Sequence, residues 1–312
     1  MAIKLGNNDI SSFKVGSTDV DAIYLGSTLV YSGGTPTHDY SQDYLTFVAT
    51  ESGTFKFSGN SINYSLDSGT TWTSLASDTD TPTVSAGSSI LWKASLTPTS
   101  RGIGKFSSTA NFTVEGNAMS LLYGDNFSGQ TSLSGKDFAF FNLFNGCSKL
   151  TSAENLVLPA TTLAKFCYNS MFYGCTSLTT APQLLATTLA NNCYLGMFRG
   201  CTSLTTAPEL PATTLVSSCY QNMFQGCTSL TTAPALPATT LASNCYRGMF
   251  GACSGLNSII CLATNISASN CTFNWVNGVA SSGTFTKAAS MNDWPSGDSG
   301  IPNGWTVVDY SS

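Results

Sequence analysis

The sequence predicts a mainly β, multidomain chain: a short N-terminal β segment, a small antiparallel β-sandwich, and then a solenoid of about five 26-residue rungs with a C-terminal cap. Three observations lead there. Met171, Met197, Met223 and Met249 each precede a phenylalanine and lie 26 residues apart, a period of the length that repeat architectures use. A shorter ten-residue repeat occupies the start of the chain, and between the two the apolar residues alternate with polar ones, as in half-buried strands.

The ten-residue repeat is Gly6-Asn-Asn-Asp-Ile10, Gly16-Ser-Thr-Asp-Val20 and Gly26-Ser-Thr-Leu-Val30. Short β-strands turned at Gly-Asn or Gly-Ser fit it. Such a small β unit buries little surface alone, so residues 1–33 are expected to attach the chain to other proteins or to further copies of itself. Residues 34–43 belong to the Gly, Pro, Ser and Asp rich stretch SGGTPTHDYSQD and read as a linker.

Residues 44–118 contain Thr54-Phe-Lys-Phe57, Ile62-Asn-Tyr-Ser-Leu66 and Ile90-Leu-Trp-Lys-Ala94, separated by Asp, Gly and Ser. This is the pattern of an antiparallel sandwich. Within it Ser65-Leu-Asp-Ser-Gly-Thr-Thr-Trp72 resembles the Asp-box hairpin of sialidase-like propellers. It occurs once, and Asp67 is expected to cap the turn rather than act as a base.

Residues 119–276 hold the 26-residue repeat, and its clearest copy reads GCTSLTTAPELPATTLVSSCYQNMF over residues 200–224. A rung of a solenoid touches only its neighbours, so residue types needed inside recur while outward ones drift. Cys201, Leu204, Leu210, Leu215, Cys219, Met223 and Phe224 recur and are expected in the core. The Thr-Thr pairs are expected to satisfy one another through stacked hydroxyls. Phe140 and Phe144 pack the entrance, and Trp275 takes the Met position at the exit.

The order Met-Phe, Gly-Cys-Thr-Ser-Leu, Ala-Thr-Thr-Leu resembles the BspA-type leucine-rich repeat over about residues 139–276. The resemblance implies a right-handed solenoid with a short strand on one face, used for adhesion or binding. The tail, residues 277–312, resembles the C-terminal segment that often follows such repeats and is expected to cap them.

Eleven cysteines fall mostly on two ladders, Cys147, Cys175, Cys201, Cys227 and Cys253 beside Cys167, Cys193, Cys219, Cys245 and Cys271, with Cys261 outside both. Ala139 precedes the second ladder, so the position accepts a small apolar side chain. Buried free thiols are the expectation. The single histidine, His38, lies in the linker stretch, no CxxC or HxxxH spacing occurs, and the arginines are Arg101, Arg199 and Arg247. No catalytic residue, cofactor or metal ligand is therefore assigned.

Charged residues are 9% of the chain and the net charge is −5, without a basic stripe, so a nucleic-acid ligand is not expected. No stretch reaches the length of a membrane span. The start, MAIKLGNNDISS, has no basic and apolar signal pattern, which is read as synthesis and assembly in a cytoplasm.

The drifting positions supply the candidate ligand contacts: Gln183 and Glu209 near the strand, Asn191 and Ser217 before the second cysteine, Leu195, Gln221 and Arg247 after the tyrosine, and Tyr173, Arg199 and Gln225 in a fourth row that ends at Gly251. The expected function is a non-enzymatic phage virion protein, a head or tail fibre on the virion surface. Residues 1–33 would join other virion proteins, the chain would form a homo-oligomer such as a trimer, and the solenoid would face a host-surface glycan or protein. The alternative is a bacterial cell-surface adhesin of the BspA kind.

Overall fold

The computed structural model describes residues 4–5, 8–9, 14–15, 18–19, 22–25, 28–32 and 38–311. Two units divide the chain, Met1–Asp39 and Tyr40–Ser312. In the first, the ten-residue repeat is a repeat of hairpins. β1 (Lys4–Leu5) pairs with β2 (Asn8–Asp9), β3 (Lys14–Val15) with β4 (Thr18–Asp19), and β5 (Ala22–Leu25) with β6 (Thr28–Ser32), all antiparallel. The expected turns Gly6-Asn7, Gly16-Ser17 and Gly26-Ser27, residue 33 and the linker residues 34–37 lie outside the described residues. The other end of the expected linker, a 3-10 turn at Tyr40–Gln42, belongs to the second unit.

The second unit is mainly β with few helices. It begins with β7 (Leu45–Ala49), β8 (Phe55–Gly59), β9 (Ile62–Ser65), β10 (Thr73–Leu75), β11 (Ser89–Lys93), β12 (Gly104–Ser108) and β13 (Phe112–Asn117). On β7, Leu45, Phe47 and Ala49 are fully buried, the two-residue alternation of a strand with one face on a core. β12 and β8 form their own antiparallel pair. Phe106 from this pair meets Phe47 and Trp92 of the larger sheet at centroid distances of 4.8 and 5.0 Å. Aromatic contacts of this kind contribute about 0.5–1.5 kcal/mol each beyond the area they bury.

The larger sheet does not stop at residue 118. A short helix α1 (Ser120–Tyr123) and a 3-10 turn follow β13. The chain then returns as β14 (Leu150–Val157), which lies parallel to β13 and completes the strand order β10-β9-β11-β7-β13-β14. The expected boundary between sandwich and repeats is therefore crossed by a sheet. Glu154-Asn155, which makes the first repeat longer than the others, lies on β14, where Asn155 pairs with Glu115.

From residue 136 onward a turn-rich segment recurs six times, and its hydrogen bonds alternate. Ser218, Tyr220, Asn222, Phe224 and Gly226 each donate a backbone N–H to the next repeat, to the carbonyls of Ser243, Cys245, Arg247, Met249 and Gly251, at 2.8–3.1 Å. Cys219, Gln221, Met223 and Gln225 donate to the carbonyl three residues back. Every fourth residue has a positive φ: 138, 142 and 146 in the first segment, then 166, 170 and 174, 192, 196 and 200, 218, 222 and 226, 244, 248 and 252, and 270, 274 and 278. Side chains consequently run two in, two out. Cys219 and Tyr220 are buried, Gln221 and Asn222 lie outside, Met223 and Phe224 are buried, and Gln225 and Gly226 lie outside.

Inside, each residue type meets its own kind. Phe144, Phe172, Phe198, Phe224 and Phe250 stack at 5.4–5.8 Å, and Phe106 extends this column into the two-sheet region at 5.8 Å. Tyr168, Tyr194, Tyr220 and Tyr246 form a second column behind Phe140. Trp275 closes both columns, 6.1 Å from Tyr246 and 6.2 Å from Phe250. On the other side of the repeat the middle copies form isolated parallel bridges such as Thr180↔Thr206 in place of a continuous strand. The threonines there do not stack hydroxyl on hydroxyl from copy to copy as expected. Thr179 and Thr205 of the Thr-Thr pairs donate instead to the carbonyls of Thr151 and Thr179, at 2.9 and 3.5 Å. A backbone carbonyl with a free lone pair is the nearer acceptor.

Strands return at the end. β15 (Ser258–Cys261), β16 (Thr284–Lys287) and β17 (Thr306–Asp309) form a parallel sheet. The backbone donors of Val276 and Asn274 are taken up by the Asp298 carbonyl and the Ser299 hydroxyl, and the Trp275 indole N–H by the Gly300 carbonyl. Residues 298–300 thus close the last turn-rich segment, while β16 and β17 extend the strand side beyond it.

Phe198→Ala, which removes one ring from the middle of a column, is expected to lower unfolding free energy by about 3–5 kcal/mol, and Leu215→Ala by about 2–5 kcal/mol. Gly226→Ala meets only ordinary contacts and should cost about 1–2 kcal/mol through its positive φ. Denaturant unfolding of the three variants checks the ranking.

Candidate functional site

The rows of drifting residues have a common backbone origin. Residues 191, 195 and 199, then 217, 221 and 225, then 243, 247 and 251 each immediately precede a positive-φ residue. The chain turns there, so the side chain is directed outward. Their backbone groups are already used: Arg199 donates to Gly196 and accepts from Gly174, and Gln221 donates to Ser218 and accepts from Gly196. Only the side chain is left for a ligand.

Tyr173, Asn191, Arg199 and Arg247 are exposed, and Leu195, Ser217, Gln221 and Gln225 are half-buried. These eight lie in the turn-rich segments. Gln183 and Glu209, also exposed, are on the other stretch of the repeat and line a separate recess with Leu184 and Leu185. Leu185 stands 49% exposed where the neighbouring repeats carry Pro159 and Pro211. The ten candidate residues are thus divided between two places.

Within the turn-rich face, the two arginines each cover an exposed aromatic ring one repeat away. The Arg199 guanidinium lies 5.5 Å from the ring centre of Tyr173, and that of Arg247 lies 5.5 Å from Phe273. Neither arginine forms an ion pair among the described residues, unlike the lysines of Lys56–Asp80, Lys93–Asp125 and Lys287–Asp309. Beside Arg247 the face opens into a cleft lined by Asn222, Gln225, Phe273, Asn274 and Asn277. Its floor is Gly248, Gly251 and Ala252. The cleft exists because Gly251 occupies the row that carries Tyr173, Arg199 and Gln225 in the preceding copies.

Phe273, Asn274 and Asn277 were not singled out by the repeat pattern, although they stand 26 residues after Arg247, Gly248 and Gly251. The signal that points to them is the loss of a side chain at Gly251.

The cysteines are all free and buried. In the first ladder the thiols of Cys175, Cys201, Cys227 and Cys253 donate to the carbonyls of Phe144, Phe172, Phe198 and Phe224, at 2.9–3.1 Å. Burial pushes their ionisation upward: Cys147 to about 11, and Cys167, Cys253 and Cys261 to about 12. Reactive cysteines have depressed pKa values in electropositive, accessible surroundings, and these have the opposite. Among the described residues no three His, Cys, Asp or Glu side chains gather where a metal ion would be held.

Asp67 is a turn cap. It accepts the Thr71 backbone N–H at 2.9 Å, the Thr71 hydroxyl at 2.6 Å and the Ser65 hydroxyl at 2.7 Å. These bonds, the Thr71 hydroxyl first, hold its carboxyl down to about 2. The Trp72 indole N–H closes the same hairpin on the Gly69 carbonyl. Nearby, Lys93 lies 4.2 Å from the Trp72 ring centre and bonds Asp125, which also accepts from Tyr44.

Comparison with family models, curated proteins and solved structures finds no match to the chain.

The thiols yield a test. Their folded pKa values lie above the ordinary 8.5–9, so above pH 9 the folded state holds more protons than the unfolded one, and stability falls as pH rises. The stability they contribute is complete below pH 8.5 and is lost from about pH 9 to 12. Urea midpoints measured across that range should fall steadily. Alkylation of the native chain at pH 8 should leave the buried thiols unmodified, and alkylation after unfolding should modify all eleven.

Proposed function

We propose that the chain is a non-enzymatic phage virion structural protein, a head or tail fibre whose repeats form a leucine-rich-repeat solenoid of the BspA kind and present a binding face to a host-surface glycan or protein. The observation that carries this is the turn-rich face: a backbone whose hydrogen bonds are complete, bearing rows of side chains that differ from copy to copy. Such a scaffold can change what it contacts without changing how it folds. The 25- and 26-residue spacing of the hydrogen bonds and ring stacks supports the solenoid reading. The engagement of Asp67 in its own turn supports a non-catalytic role.

Residues 1–33 are assigned to attachment, to other virion proteins and to further copies of the chain in a homo-oligomer. Their hairpins are very short, and two-stranded hairpins gain stability by packing on something else.

Two experiments test the reading. Replacing Arg199, Gln221 and Arg247 together by alanine should cost no more than about 2 kcal/mol, since exposed cation–π contacts contribute about 0.5–1 kcal/mol each, while attachment to host cells falls. Undiminished attachment would make the face an ordinary solvated surface. Deleting residues 1–33 should leave residues 40–312 folded by circular dichroism and absent from assembled particles; a truncated chain that still joins the particle would refute the assignment.

A further inference from the structure

We infer that the cleft beside Arg247 is a subsite for an acidic saccharide, a sugar unit bearing a carboxylate. The inference rests on the adhesive reading above and narrows it to one place and one ligand class.

The size follows from the repeat. Asn222 and Gln225 on one wall and Phe273, Asn274 and Asn277 on the other are separated by the single intervening rung of Gly248 and Gly251. Two steps of about 4.8 Å, the spacing of hydrogen-bonded neighbours, make the cleft roughly 10 Å across, the width of a sugar ring with its substituents. Gly251 keeps it open. A Cβ there would stand 3.5 Å from Gln225 Nε2 and 3.4 Å from the Gly248 carbonyl, ordinary contacts that a side chain could make, and without one only the Gln225 amide leans over the position.

The chemistry follows from the side chains of the walls. The Gln225 amide, whose Nε2 is its atom nearest Gly251, lines the cleft with the side chains of Asn222 and Asn274, groups that both donate and accept hydrogen bonds. Sugar hydroxyls do both and match them. Arg247 stacks on Phe273 and pairs with no carboxylate among the described residues. A guanidinium with its edge free is built for a planar carboxylate, which it grips through two parallel N–H bonds. Asn277 uses an amide hydrogen on Asp298 at 2.7 Å, which fixes that wall. Amides matched to hydroxyls and a cation awaiting a carboxylate within one ring-sized cleft describe a uronate or another acidic sugar better than a neutral one.

The test uses the full chain and ligand-observed NMR titration with two acidic probes, a trimer of galacturonate and sialyllactose, against galactotriose and lactose. At least one acidic probe should bind ten-fold or more tightly than its neutral counterpart. Arg247→Gln should remove that preference. Gly251→Gln restores the side chain of the preceding rungs at a residue with ordinary φ, and should abolish binding with an unchanged thermal midpoint. Lys165→Gln, which removes the same charge three rungs away, should bind as the parent does. Equal binding of acidic and neutral probes, or full binding by Gly251→Gln, overturns the inference. If the parent attaches to host cells but binds neither acidic probe, this subsite is refuted and the adhesive reading stands; binding of an acidic probe without attachment to cells refutes that reading and leaves the subsite.

Discussion

A positive φ at every fourth residue organises the repeats. It lets the backbone turn on itself and still offer alternate N–H groups to the next copy, so one segment satisfies a local turn and a long-range ladder together. For residues other than glycine the left-handed conformation costs about 1–2 kcal/mol, and asparagine is the commonest of those found there, as at Asn192, Asn222, Asn244 and Asn270. Repetition offsets the cost. Each turn places a pair of side chains inside, and the ladder brings that pair onto an identical pair one copy away.

The same register explains the cysteines. The carbonyl of Phe172 accepts the Cys175 N–H of its own turn and has a second lone pair facing the next copy, where the Cys201 thiol meets it at 3.0 Å. Alanine would fit the space and leave that lone pair unused; serine would bring a more strongly hydrated group into a buried place. A thiol is small, apolar enough to bury and still a weak donor. In the second ladder Cys193 and Cys245 reach the carbonyls of the next copy only at 4.0 and 3.9 Å, in keeping with the alanine at residue 139, and Cys271 at the exit turns instead to the Ile266 carbonyl at 3.1 Å.

Much of this was legible in the sequence because repetition separates core from surface without reference to geometry. Met223, Phe224, Cys219 and Leu204 recur and are fully buried, and Trp275 takes the exit. What was not legible depends on partners distant in sequence. Pairing between β13 and β14 joins the early strands to the repeats, and nothing in either strand's alternation names the other. Phe138 and Phe166 adopt a positive φ that their residue type disfavours, held by stacking of their rings at 4.7 Å. The threonine ladders were misread because a hydroxyl has two kinds of neighbour and composition does not choose between them. In the candidate site, the arginines and amides were visible as drifting letters, whereas the cleft is a missing side chain and is seen only when the rungs are laid side by side.

The aromatic columns step by 5.4–6.2 Å per copy and end on residues that break the repeat, Phe106 and Phe47 beyond the phenylalanine column and Trp275 and Trp294 at the exit. A whole copy can therefore be gained or lost by recombination between its near-identical neighbours while both closures stay intact. The reach of such a protein is inherited in whole steps of one ring spacing, and each added step arrives with an outer row that is free to diverge.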